Sequence, residues 1–210
     1  MPGKNLAEVG GKSLLRLAGE SAWACTHTVI STDVHGDEMR RLARESRADL
    51  HPRRLEHATD EAGLEPVIDD VLSWWAEREQ PEPAAIVLLQ PTSPLRTAKH
   101  VAEALRLLEE LRCDSVVSVT KLHSLHPIFH GRWVGNQEYI TAAHGIGRPR
   151  SQDLDSLCYE NGAVYAFTTK HWERTKNRMG GDMRCFAMHW SEAVEVDSME
   201  DLEAVRRLCR

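Results

Sequence analysis

Leu88-Leu89-Gln90-Pro91-Thr92-Ser93-Pro94-Leu95-Arg96 is the stretch on which the reading of this chain turns. An apolar run over 85–89 passes straight into a loop of amide, hydroxyl and guanidinium groups. Pro91 and Pro94 fix φ within that loop and limit its freedom. A buried strand whose carboxyl end opens into stiffened polar residues is where open α/β sheets bind ligands. Taken alone, the same residues would also suit an ordinary strand-to-helix loop.

Working outward, the flanking segments alternate between strand and helix signals. Thr97 is placed to cap a helix whose inner face is Val101, Ala104, Leu105, Leu108 and Leu111, and 115–119 reads as the next strand. On the amino-terminal side, Leu64, Val67, Ile68, Val71, Leu72 and Trp75 recur at helical spacing, and Pro81 and Pro83 end that segment. Trp74 and Trp75 are most simply packing residues of that helix. Helices are also predicted over 12–23 and 37–47, with a short strand over 28–31 between them.

This rhythm argues for an α/β fold with a mainly parallel sheet and helices on both faces. It breaks after Val119, where segments flanking Gly135-Asn136 predict a hairpin. The irregular stretch over about 121–158 fits a substrate lid or a dimer arm equally well. A strand over 163–168 follows, and the last strand is expected to end near Asp197. Ser198 and Asp201 then form a capping box for a final helix.

The 210 residues suit a single domain, 1–210, and the 41% apolar, 28% charged composition is that of globular protein. A formal charge of −6 disfavours generic attraction to nucleic acid or anionic membrane, and no apolar run is long enough to span a bilayer. Five scattered cysteines with no Cys-x-x-Cys pair predict reduced thiols in a cytoplasmic protein.

Several residues offer chemistry of their own. Lys4 can place a point charge on phosphate, and Asn5 can pair with a base or ribose edge, although a lone Lys-Asn is ordinarily solvated surface. Glu195 and Asp197 alternate with Val194 and Val196, which puts both carboxylates on one side of a strand. Two hard oxygen ligands suit Mg²⁺, while an exposed strand face is the plain alternative. Gln90 offers both a donor and an acceptor to a polyhydroxy sugar, and Arg148 or Arg150 can grip a carboxylate in two parallel hydrogen bonds. His123, His126 and His130 do not have the spacing of a standard zinc site.

Together, residues 88–96, Glu160-Asn161-Gly162-Ala163-Val164-Tyr165, Lys4-Asn5, Ser31-Thr32-Asp33 and Glu195-Val196-Asp197 resemble the CMP-sialic acid synthetases, or N-acylneuraminate cytidylyltransferases, nearly end to end and in order. The resemblance implies a Rossmann-like nucleotidyltransferase that moves CMP from CTP to a nonulosonic acid, releases pyrophosphate, uses Mg²⁺ and forms a homodimer. It assigns Lys4 and Asp197 to catalysis, and Lys4 and Asn5 to the nucleotide. Gln90, Arg150, Gln152 and Asn161 go to the sugar acid, and Asp197 with Glu195 to the metal.

Some positions depart from the family pattern. Glu195 stands where an aspartate is usual, and His51-Pro52 stands where Arg-Pro is frequent, with Arg53 or Arg54 as stand-ins for the lost arginine. The family's first apolar strand and its Ala-Arg-x-x-Ser-Lys loop precede the Lys-Asn and are not among these residues. Without them, weaker CTP binding is expected. The alternatives are a CMP-Kdo synthetase or related sugar nucleotidyltransferase, or a truncated homologue without catalysis.

Overall fold

The structure, a computed structural model, describes residues 3–59, 61–122, 131–134, 138–141, 150 and 157–209. Its central sheet has the order β10-β6-β9-β5, formed by Met183–Ala187, Ser115–Leu122, Leu157–Thr168 and Ala85–Leu88. β10 and β6 are parallel, whereas β9 runs antiparallel to both β6 and β5. The sheet is therefore mixed and not mainly parallel. The reason lies in the connection between β6 and β9, which carries the hairpin of β7 (Gly131–Val134) and β8 (Glu138–Thr141). A parallel neighbour needs a crossover, usually helical, to carry the chain back to its starting end.

A second sheet pairs β3 (Val29–Thr32) with β4 (Asp49–Pro52) in parallel, joined through α2 (Asp37–Glu45). Among the described residues, β5 pairs on one side only, with β9, and β3 pairs only with β4. The sequence did not announce β4, because Asp49-Leu50-His51-Pro52 has one aliphatic residue and ends in proline.

Helices cover both faces of the central sheet, as expected. On one face, α4 (Ala98–Glu110) buries Val101, Ala104 and Leu108 against Val116, Val164 and Ala166. On the other, Ile68 of α3 (Glu65–Ala76) meets Phe167 and Trp172, with Leu72, Ile86 and Leu88 alongside. Trp172 belongs to α5 (Thr169–Thr175), a seven-residue helix started by the Thr168 side chain, which accepts from His171 N. Trp75 is buried and donates through Nε1 to Pro81 O at 2.9 Å, fixing the turn toward β5.

The first predicted helix is shorter than 12–23. Lys12–Ser13 forms β2, paired with β1 (Glu8–Val9) around Gly10 and Gly11, both at positive φ where glycine carries no Cβ penalty. α1 (Leu14–Ser21) then starts at Ser13, whose hydroxyl accepts from Arg16 N at 3.2 Å. Leu14 packs with Val9, Val196 and two residues of α6 (Met199–Leu208), Leu202 and Val205. This small cluster brings the start of the chain to its end. No helix among the described residues is long and apolar enough to cross a membrane.

Candidate functional site

The loop after β5 is held from beneath by a buried arginine. Arg96 is only 4% exposed. Its Nη1 donates to Gln90 O at 3.0 Å and to Ala163 O at 2.8 Å, and its Nε donates to Ser21 Oγ at 2.9 Å. One side chain thus fixes the loop to β9 and to the end of α1. Burial pulls the guanidinium pKa down to about 10. Thr92, Ser93 and Pro94 are also buried. Gln90 is half-buried, and its side-chain amide has no hydrogen bond to another described residue, so it can serve a ligand.

Thr92 carries the loop to the acidic segment. Its carbonyl accepts from Val196 N at 2.8 Å, and its hydroxyl donates to Glu195 Oε1 at 3.1 Å. The expected alternation holds, with Val196 fully buried and Glu195 and Asp197 exposed. The expected strand does not: residues 193–197 form no ladder, and the final strand among the described residues is β10, ending at Ala187. The segment lies between a 3₁₀ turn at Trp190–Glu192 and the cap of α6, so its backbone has few residues free for ladder pairing.

The α6 cap itself positions Asp197. Asp201 Oδ2 accepts from Ser198 N at 2.8 Å and from Asp197 N at 3.1 Å, as the Ser198/Asp201 capping box predicts. These hydrogen bonds, with the Ser198 hydroxyl first, hold the Asp201 carboxyl below its usual range. Across the site, Lys4 Nζ lies 2.9 Å from Asp197 Oδ1. Lys4 and Asp197 are 193 positions apart, so the fold brings together the two residues that the family resemblance assigns to catalysis. Lys4–Leu6 forms a 3₁₀ turn that leaves Asn5 exposed beside the pair.

Asn161 and Gly162 form the opposite wall. Asn161 is 4% exposed and its amide is engaged within the sheet. Oδ1 accepts from Ser118 Oγ at 2.6 Å and Ala163 N at 3.2 Å, while Nδ2 donates to Thr120 Oγ1 at 3.0 Å. These bonds span the register shift between Val117 and Val119, where the β6–β9 ladder is interrupted. Asn161 shapes the wall here. Gly162 is the residue that abuts the acidic segment: at φ +72°, a Cβ on it would stand 3.7 Å from the Glu195 carboxylate oxygens. Nearby, Tyr165 donates to Glu160 and lies under the Arg178 guanidinium, and burial with the Glu160 bond pushes its hydroxyl pKa up to about 12.

Other expected residues are spread more widely. Arg150 is exposed, while Gln152, Arg148, His123, His126 and His130 lie outside the described residues. His51, where the family frequently has arginine, is 3% exposed and does not reach the surface. Its Nδ1 lies 3.0 Å from Ser31 Oγ and its Nε2 lies 3.6 Å from Asp70 Oδ2, and burial holds its pKa down. Arg53 donates to Ser31 O at 2.8 Å, and Arg54 Nε pairs with Asp70 Oδ1 at 3.0 Å. Both stand-in arginines are thus committed to contacts within the fold. Asp70, which joins His51 and Arg54, escaped the sequence reading because it sits between apolar positions of α3 like any helix-surface acid.

For a divalent cation, the donor set is two exposed carboxylates, Glu195 and Asp197, in the segment that leads into α6. No group of three or more His, Cys, Asp or Glu is arranged for a metal among the described residues. Two carboxylates fit Mg²⁺, which takes one or two protein oxygens and completes its shell with phosphate and water. They do not suit a closed structural zinc site.

No protein-family model matches the chain. It is 27% identical over 207 residues to the N-acylneuraminate cytidylyltransferase of Streptococcus agalactiae serotype V, covering 96% of this chain and 48% of that protein. It is 28% identical over 186 residues to N-acylneuraminate cytidylyltransferase B of Danio rerio, covering 86% of this chain and 41% of that protein. The chain therefore spans about half the length or less of the curated relatives it matches. Among solved structures, CMP:2-keto-3-deoxy-manno-octonic acid synthetase complexed with CTP superposes with a TM-score of 0.66 at 16% identity, covering 99% of this chain and 92% of that one. The chain has the cytidylyltransferase fold, and over most of its length its sequence is similar to the N-acylneuraminate cytidylyltransferases.

Proposed function

We propose that this protein transfers CMP from CTP to a nonulosonic acid, giving the CMP-sugar and pyrophosphate. The observation that carries the reading is the Lys4–Asp197 contact beside the Thr92–Glu195 contact. Together they gather a phosphate-type cation, two metal-type carboxylates and the loop after β5 into one place. Phosphoryl transfer asks the protein mainly for positioning and charge, and this arrangement supplies both.

In this reading, Lys4 offers its ammonium to the triphosphate, and Asn5 turns an exposed amide toward the nucleoside. Gln90 orients the sugar acid through its side-chain amide, with Arg150 and Gln152 holding the acid from the insertion. Asn161 contributes by setting the wall that Gly162 presents. Asp197, with Glu195 beside it, would hold Mg²⁺. Held there, the ion would supply charge neutralisation at the triphosphate and would lower the pKa of the attacking hydroxyl. The homodimer implied by the family resemblance belongs to the same proposal.

The test is pyrophosphate release from CTP with N-acetylneuraminate, legionaminate, pseudaminate and Kdo, each with and without Mg²⁺. Turnover of a nonulosonic acid that depends on Mg²⁺ is the expected result. Turnover of Kdo alone would favour a CMP-Kdo synthetase, a reading supported by the structural likeness to that enzyme. Sedimentation of the same preparation measures the assembly state.

A further inference from the structure

Arg96 is a buried cation with no anion to meet it. Its partners are two backbone carbonyls and a serine hydroxyl, and no carboxylate pairs with it among the described residues. Its Nη2 is buried and has no hydrogen-bond acceptor there. Buried charges are ordinarily paired, because desolvation penalises a lone ion. Its titratable neighbour does not compensate it: burial holds the His100 pKa down, Glu192 at 3.7 Å from His100 pulls it up in part, and the Arg96 charge lowers it further. Glu195, an acid of the same site, is engaged by Thr92.

We propose that Arg96 is a positioning and specificity residue for a carboxylate-bearing substrate at the Gln90 loop. The inference rests on the nucleotidyltransferase reading and deepens it. Through Nη1, the guanidinium sets the spacing between the Gln90 and Ala163 carbonyls, and so between the loop and the Asn161-Gly162 wall. Its charge lies in a low-dielectric interior where salt screens it poorly, so it favours an anion docked against Gln90 over a neutral analogue. Arg96 touches no substrate itself. It acts through Gln90 and the field it supplies.

Three variants separate charge from scaffold, after thermal melts establish that each folds cooperatively. Arg96→Met removes the charge and should raise KM for the sugar acid by roughly tenfold or more, one decade being about 1.4 kcal/mol. KM for CTP should change by less than about twofold. Arg96→Lys keeps the charge and should recover most of the acid KM while leaving kcat low. The carboxamide of the sugar acid should compete about tenfold more weakly than the acid in the wild type, and equally with it in Arg96→Met. If Arg96→Met does not fold, Ser21→Ala carries the test. It strips only the Nε acceptor and should raise the acid KM by about threefold with CTP unaffected.

Acid and CTP KM values rising together, or an unchanged acid KM in a folded variant, would overturn the proposal while leaving the wild-type activity in place. A wild type with no turnover would overturn the function reading first and this inference with it.

Discussion

The two sides of the site are built to different standards. The loop after β5 is buried at Thr92, Ser93, Pro94 and Arg96 and tied to β9 and α1 by one guanidinium. The side with Lys4 and Asp197 depends on one ion pair between side chains 31% and 68% exposed. Exposed pairs contribute little to stability because water and salt screen them. The comparison teaches that the loop side is set by the fold. In the proposed function, the Lys4–Asp197 side keeps its charges free to exchange partners when ligand arrives. A pair of opposite charges near solvent is stable enough to hold lysine and carboxylate in place, and weak enough to be replaced.

This contrast can be broken from either side. The largest effect on the fold should come from Arg96→Met, which deletes three hydrogen bonds and takes the guanidinium donor from the buried Ala163 carbonyl. A loss of about 3 kcal/mol in denaturant unfolding is expected. Asp197→Asn should do the reverse. Stability should stay within about 0.5 kcal/mol because the pair is exposed, while kcat falls about a hundredfold, roughly 2.7 kcal/mol of transition-state stabilisation. Normal kcat in that variant would remove Asp197 from the chemistry. Glu195→Gln is expected to be milder.

Lys4→Met sharpens the same point at a smaller scale. Calorimetric titration should show CTP bound about tenfold more weakly, with thermal stability almost unchanged. Equal affinity would assign the triphosphate to other cations.

The smallest effect is pH-dependent. His51 and His100 are held below their usual pKa of 6.5, chiefly by burial. The unfolded chain therefore binds protons that the folded chain resists as pH falls through 6.5. Their contribution to stability is present above that pH and is lost below it. Melting temperature should be flat near neutrality and decline toward pH 5, and His51→Gln should flatten part of that decline.

Much of this was legible from residue spacing. The strand at Ala85–Leu88, the amphipathic α3, the Thr97-capped α4 and the Ser198/Asp201 cap all follow from periodicity and local hydrogen bonding, which are short-range properties. β4 and β10 were not legible. One ends in proline, and the other is largely exposed, with arginine and cysteine in its middle. The acidic segment shows why alternation is an incomplete signal. It matches the burial of Val196 and the exposure of Glu195 and Asp197, but alternation alone does not supply a neighbouring strand. Asn161 makes contacts that spacing does not reveal, since its side chain is satisfied across a bulge between strands that are remote in sequence. The resemblance assigned Lys4 and Asp197 to catalysis but not their contact, because no local property links the two ends of the chain.

One feature of the sheet bears on how the protein behaves in a tube. Among the described residues the edge of β5 away from β9 is unpaired, and the strand carries Ala85-Ile86-Val87-Leu88, a row of half-buried aliphatic residues with no charge among them. Such an edge is a template on which another chain can lay down a strand, and natural sheets commonly blunt it with lysine or proline. Here the blunting comes from the flanks, with Glu82 and Pro83 before the strand and Pro91 after it. Because proline offers no N–H to a ladder, those two positions cap the length of any intermolecular pairing at a few residues. Concentrated samples should therefore associate reversibly before they form fibres, and replacing Pro83 or Pro91 should tip that balance toward aggregation.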